Sequence, residues 1–378
     1  MSWAGALLTG SALAVLYTWV GYPLALWLLR GPRTKETLPS DSSLTFCIVI
    51  AAHNEGAQMT AKLDDCLALD YPHDKLEVVV VSDGSTDSTD DVVQSYAASD
   101  VRVRLLRTPG RAGKSGAQNL AAKTVFGDIL LFTDAGARMR QDSLQRIAGC
   151  FADSRVGLVA PIVYFGRHAN AVSRGQGAYW RFEVWLRQLE SDLGILATAS
   201  GAAFAIRKNL FREIAPHFGD DCVLPLDVCL QNAQVVQEPR AIVFDEMPHT
   251  VGGELRTRAR MTARSCAGTL SRPQLLNPFR FPGMAWGLLS HKILRWMTPI
   301  FLLTAFFANA ALGTRPPFLV SFALQCCFYA AAIAGWRGSG LGRRGRVLGY
   351  PFAFCLANLG FLLGTMRCMR GARVVAYK

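Results

Sequence analysis

No Cys-x-x-Cys pair occurs in this chain, although it holds ten cysteines among 378 residues. That spacing indicates neither a zinc site nor a disulfide framework, and scattered thiols suit a reducing compartment. Charged residues are scarce at 18%, against 51% hydrophobic, a more apolar balance than an average soluble enzyme has. The net charge is +12, yet no contiguous basic domain with interleaved aromatics accounts for it, so nucleic acid is not an expected partner. The surplus falls in Arg30 to Lys35, in Arg256 to Arg264 and from Arg337 onward, as cationic flanks of membrane segments would. A cleavable leader is not the expected reading of the amino-terminal segment either. Nothing charged precedes Trp3, and no small-residue cleavage site with a polar start follows the apolar run Trp3 to Leu29. As a helix that run is long enough to cross a hydrocarbon core of about 30 Å, and it reads as a retained anchor. Arg30, Arg33 and Lys35 follow it directly, which puts the amino terminus outside and the remainder in the cytoplasm.

What is present is a series of strands ending in acids. Leu76 to Val81 is a β-branched run that reads as a buried parallel strand, and it delivers Ser82-Asp83-Gly84-Ser85-Thr86-Asp87. Asp128 to Thr133 is a second such strand and delivers Asp134. A third acidic site, Asp220-Asp221, follows Gly219, and Phe46 to Ala52 forms a first strand ending in His53-Asn54-Glu55. In open α/β sheets ligands collect at the carboxyl ends of strands. Acids placed there suit a polar ligand, often through a metal ion. Between these strands, Arg111 to Asn119 opens a helix with glycines that permit close backbone approach, an anion-favouring amino terminus, and the full charge of Lys114. It lacks the glycine spacing of a Walker A loop.

From Phe46 to Arg264 these motifs together resemble the inverting family-2 glycosyltransferases with the GT-A fold, in their membrane-anchored bacterial branch, distant relatives of cellulose and hyaluronan synthases. The implied fold is an α/β, Rossmann-like nucleotide-sugar-binding domain with transmembrane and interfacial helices. The resemblance assigns Ala51, His53 and Glu55 to the uracil and ribose of a UDP-sugar and Asp83 to the base. It assigns Lys114 to the donor diphosphate and sugar, and Asp134 to the diphosphate and its Mg²⁺ or Mn²⁺. Gly136 departs from the family's Asp-x-Asp pattern and offers no side chain to a metal; Asp134 with phosphates and waters could suffice. Asp221 matches the catalytic base that takes the acceptor proton, and Asp220 its acidic neighbour. Thr198 to Arg207, with Ser200 and Gly201, resembles the small-residue strand at the acceptor side.

Arg256, Arg260 and Arg264 share a helix face, with Arg258 across from it. That face suits either a diphosphate or anionic lipid. Arg260 is assigned to the donor, and Arg258 and Arg264 to the acceptor side. The processive synthases carry Gln-x-x-Arg-Trp in this region. Thr257, Arg260 and Met261 stand there instead, which favours transfer of one sugar over extrusion of a polymer.

The expected division is an anchor at 1–30, a linker at 31–43, the cytoplasmic glycosyltransferase domain at 44–271, an interfacial helix region at 272–296, and transmembrane helices with a basic tail at 297–378. Within the last parts, a span is expected from about Met297 to Gly313, and others at Phe318 to Trp336 and Val347 to Met366. Four spans would send the carboxyl terminus outside, whereas Arg367, Arg370, Arg373 and Lys378 favour the cytoplasm. The expected activity is transfer of a sugar from a nucleotide-sugar to a lipid-linked or other saccharide acceptor, with membrane lipids as surroundings. The site is the cytoplasmic face of a bacterial inner membrane, in envelope or exopolysaccharide biosynthesis. The alternatives are a processive polysaccharide synthase and a catalytically silent membrane scaffold.

Overall fold

The structure, a computed structural model, describes residues 2–31, 43–166, 171–246, 250–313, 316, 318–337 and 342–371. Most of the linker, with Arg33 and Lys35, lies outside the described residues, as do Arg373 and Lys378 of the tail. An apolar helix α1 (Trp3–Leu29) comes first. Then follow β1 (Phe46–Ala52), α2 (Gly56–Leu67), β2 (Leu76–Ser82), α3 (Thr89–Ser99), β3 (Val103–Arg107), α4 (Gly113–Thr124), β4 (Ile129–Thr133) and β5 (Arg138–Met139). The second half of the sheet unit runs α5 (Ser143–Cys150), β6 (Val156–Phe165), α6 (Ala171–Asp192), β7 (Ala203–Arg207), α7 (Asp220–Leu230), β8 (Gln234–Asp245) and α8 (Val251–Leu270). Three apolar helices close the described chain: α9 (Pro282–Leu312), α10 (Phe318–Arg337) and α11 (Gly342–Met369).

Among the described residues the strands form one sheet in the order β3-β2-β1-β4-β7-β6-β8-β5. The first four pair in parallel, while β7 runs against both β4 and β6. The unbroken apolar runs of β1, β2 and β4 follow from a sheet covered on both faces. Ile48, Ile50, Val78, Val80 and Leu131 pack with Met59 and Leu63 of α2 on one face. Their alternates Val49, Val79, Val81 and Phe132 pack with Ala117 of α4 and Val223 of α7 on the other.

The apolar helices differ from the sequence reading in one place. The stretch read as an interfacial helix followed by a span is one continuous helix, α9, with a π-helical turn at Leu288–Ile293. Its basic residues turn toward the catalytic unit: His291 and Arg295 meet Glu183 of α6, and Lys292 donates to the Ala197 carbonyl at 3.2 Å. By length and composition α1, α9, α10 and residues Val347–Met369 of α11 could each cross a membrane. The second half of α11 also lies along α8. A Cβ at Gly364 would stand 2.5 Å from the Thr262 Cβ, and one at Gly360 2.9 Å from the Arg258 side chain. Glycine at these two positions is what lets the helices approach.

Candidate active site

The nucleotide-side loops are tied together where β1 and β2 end. Asn54 takes a left-handed φ of 56°, and its Oδ1 accepts the Thr86 amide at 2.8 Å. Asp87 accepts the Gly56 amide at 3.0 Å. Hydrogen bonds from the Thr89 hydroxyl, and from the amides of Thr89 and Gly56, hold the Asp87 carboxyl below its usual range. A Cβ at Gly56 would collide with Ser88 Oγ at 2.5 Å. His53 Nδ1 stands 2.9 Å from the Asp83 carbonyl oxygen, Ala51 lies in register with Val81, and the Glu55 amide donates to the Thr89 hydroxyl at 2.9 Å.

Asp83 itself is buried. Its carboxylate accepts the amides of Ala112 (2.6 Å) and Gly113 (2.9 Å) and the Thr108 hydroxyl (3.0 Å). The resemblance assigns this residue to the base; in the structure its side chain holds the loop that starts α4. That hold aims Lys114, whose ammonium lies 2.7 Å from Asp134, 3.1 Å from Asp220 and 3.1 Å from the Gly201 carbonyl. One cation thus connects two of the acidic motifs with the small-residue strand.

Beneath Asp134 sits a residue the sequence reading passed over. Lys62 of α2 is fully buried and donates to Thr133 Oγ1 (3.0 Å) and to the Ala137 carbonyl (2.6 Å). It therefore shapes the loop that carries Asp134. In sequence it is an ordinary helical lysine; only the fold puts it under the site. Asp245, at the end of β8, was passed over as well. Burial, and then the negative charge of Asp134, push its carboxyl up, against a hydrogen bond from the Glu246 amide.

Asp220 and Asp221 open α7, where an acid gains from the helix dipole. They are adjacent but unequal. Burial opposes the charge of Asp220, but Lys114 and a 2.7 Å hydrogen bond from Gln118 outweigh that and hold it below the usual range. Burial and the charge of Asp220 push Asp221 up, with Lys114, Arg264 and Arg187 opposing. The Asp221 carboxylate faces Gly201, where a Cβ would stand 3.7 Å from Oδ2 and 3.9 Å from Lys114 Nζ. Gly201 therefore faces the raised acid, and Ser200 beside it bridges to Ala203.

The arginines of α8 divide. Arg264 donates to the Phe218 carbonyl just before the acidic pair. Arg258 pairs with Glu254 at 3.0 Å (Nε) and lies over the Tyr179 ring at 4.8 Å, so it serves the packing of α8 and not an open acceptor face. Arg260 is partly exposed on the same helix. Among the described residues no group of three or more His, Cys, Asp or Glu side chains converges on a metal position. The hard carboxylate oxygen of Asp134, 43% exposed at its side chain, still fits Mg²⁺ or Mn²⁺ that keeps waters and substrate phosphates.

Residues 47–215 match the family model of glycosyl transferase family 2. That stretch, a little under half of the chain, is what is similar to family-2 glycosyltransferases. A β-monoglucosyldiacylglycerol synthase from Nostoc is 29% identical over 165 residues, covering 43% of this chain and 35% of that one. A dolichyl-phosphate β-glucosyltransferase from Trichomonas vaginalis is 30% identical over 128 residues, covering 31% and 38%. The chain thus spans less than half the length of these relatives. A mannosyltransferase from Pyrobaculum calidifontis, solved with GDP-Man and Mn²⁺, superposes with a TM-score of 0.75 over 98% of this chain and 99% of that one at 22% identity. The shared fold is the GT-A sheet unit together with the apolar helices.

Proposed function

We propose that this glycosyltransferase moves one sugar, with inversion, from a UDP-sugar to a lipid-linked acceptor at the cytoplasmic face of a bacterial inner membrane. The observation that carries the reading is Lys114, one side chain within 3.1 Å of both Asp134 and Asp220. Donor binding and acceptor activation then meet at a single charge. The acceptor hydroxyl would sit between Gly201 and Asp221. As its oxygen bonds to the anomeric carbon, its proton passes to Asp221 and the bond from that carbon to the diphosphate oxygen breaks. Lys114 then offsets the charge on the departing diphosphate. A raised acid beside a depressed one suits these roles, because a carboxylate of raised basicity takes the acceptor proton more readily, while its neighbour stays ionised to keep Lys114. Asp134 would hold Mg²⁺ or Mn²⁺ on the diphosphate, and the cation, when bound, neutralises the leaving group.

A lipid acceptor is supported by what lies behind the base. Lys292 of the apolar helix α9 reaches 3.4 Å from Cys222 Sγ, the residue after Asp221, so the catalytic helix touches a membrane helix. The relatives named for diacylglycerol and dolichyl-phosphate acceptors agree with it. Because α11 is held to α8, we read three crossings, by α1, α9 and α10. Arg367 and Arg370 then lie on the catalytic side, in keeping with the charge rule. The experiment is nucleotide release by the purified full chain with UDP-sugars and GDP-mannose, with and without a membrane lipid extract. Release that needs both a UDP-sugar and lipid is expected. Release unaffected by lipid would contradict the acceptor, and release from GDP-mannose alone would contradict the donor.

A further inference from the structure

The Asp-x-Asp position lacks its second carboxylate, and the fold brings another acid to the same place. β5 pairs antiparallel with β8, Arg138 opposite Phe244, so the last residue of β8 comes alongside the loop after Asp134. A Cβ at Gly136 would stand 3.9 Å from Asp245 Oδ1 and 3.5 Å from Gln58 Oε1. The side chain that the family pattern calls for would therefore grow into a space already bordered by two protein oxygens. Both are directed. Asp245 Oδ1 accepts the Glu246 amide at 2.8 Å. The Gln58 amide nitrogen donates to Glu55 Oε2, which turns its oxygen the other way, toward Gly136.

We propose that Asp245, with Gln58 Oε1 beside it, gives the divalent cation the oxygen that residue 136 does not, and so completes with Asp134 the protein half of the metal site. This rests on the reading of a metal-dependent donor site. The chemistry is consistent with it. Mg²⁺ and Mn²⁺ take hard oxygens, and one or two carboxylates with phosphates and waters satisfy them. The ligand has moved from the loop to the neighbouring strand, which leaves Gly136 free to stay small.

The test is Mn²⁺ binding by the full chain in detergent, read from the electron paramagnetic resonance of free Mn²⁺ with UDP present. Asp245→Asn is expected to weaken Mn²⁺ binding tenfold or more. Gly136→Asp added to Asp245→Asn is expected to restore most of the affinity, because nothing lies nearer than 3.5 Å to a Cβ there. Wild-type affinity in Asp245→Asn would overturn the assignment. A loss that Gly136→Asp leaves unrepaired would also overturn it, since Asp245 would then not be replacing residue 136. If the wild-type chain binds no Mn²⁺ with UDP or with GDP, the metal-dependent donor reading itself fails.

Discussion

The candidate active site and the seam against the apolar helices both concentrate charge, but they satisfy it differently. In the seam Glu183 accepts from Arg187 (3.0 Å) and Arg295 (2.6 Å) and lies 3.1 Å from His291 Nε2. Glu190 accepts from the Tyr22 hydroxyl of α1 at 2.7 Å and lies 2.7 Å from His291 Nδ1. The cationic neighbours of Glu183 overcome its burial and hold its carboxyl well below the usual range. All of these groups are enclosed, so they fix how α1 and α9 sit on the catalytic unit. In the pocket the charge of Lys114 is shared among partners, and one of them, Asp134, stands open. Charge that the protein closes upon itself sets assembly; charge held by an exchangeable partner is available to a ligand. The two regions touch where Arg187 donates to the Ala199 carbonyl (3.1 Å) and the Ala199 amide donates to the Asp221 carbonyl (2.8 Å), and again where Lys292 of α9 reaches Cys222.

The comparison breaks most visibly at the base. Asp221→Asn is expected to lower turnover by about 10²–10⁴-fold, the usual worth of a general base, while nucleotide affinity measured by calorimetry stays at the wild-type value. A variant with normal turnover would end that assignment. On the donor side, Asp134→Ala is expected to remove cation-dependent binding of UDP. Full nucleotide affinity in excess chelator would show that Lys114 and arginines neutralise the diphosphate alone.

The seam should respond in stability, not in chemistry. Glu183→Ala leaves the buried Arg295 and the partly buried Arg187 without this anion and His291 with Glu190 alone, and breaking a buried pair from one side costs about 3–5 kcal/mol. Thermal unfolding followed by tryptophan fluorescence would read it. An unchanged midpoint would mean that the seam is wet and not closed.

Smaller effects sharpen the pocket. Because the Asp221 carboxyl is raised, the rate is expected to fall with decreasing pH through a limb above the ordinary carboxylate range, as the base takes up a proton. A flat profile down to that range would contradict the role. Gly201→Ala would narrow the space between Asp221 and Lys114 and is expected to cost about tenfold, or about 1.4 kcal/mol, in kcat/KM for the acceptor. The donor KM should not move.

Sequence reasoning reached the pocket further than the seam, for physical reasons. β1, β2 and β4 announce themselves as apolar runs, and the acids after them are local signals. Asp245 and Lys62 are not, since each acquires meaning only when β8 and α2 fold beside the Asp134 loop. His291 and Arg295 of α9 suit an interfacial helix until Glu183 and Glu190 arrive from a distant helix. The same holds for Arg258, whose partner Glu254 is one helical turn away but whose burial depends on Gly360 of the last helix.

The most direct test of the proposed transfer to a lipid is mass spectrometry of lipids from nanodiscs holding the full chain with excess UDP-sugar. The expected product is a lipid carrying one added sugar, formed by the wild-type chain and absent with Asp221→Asn. A ladder of products differing by single sugars, or a glycosylated product with no lipid attached, would contradict it.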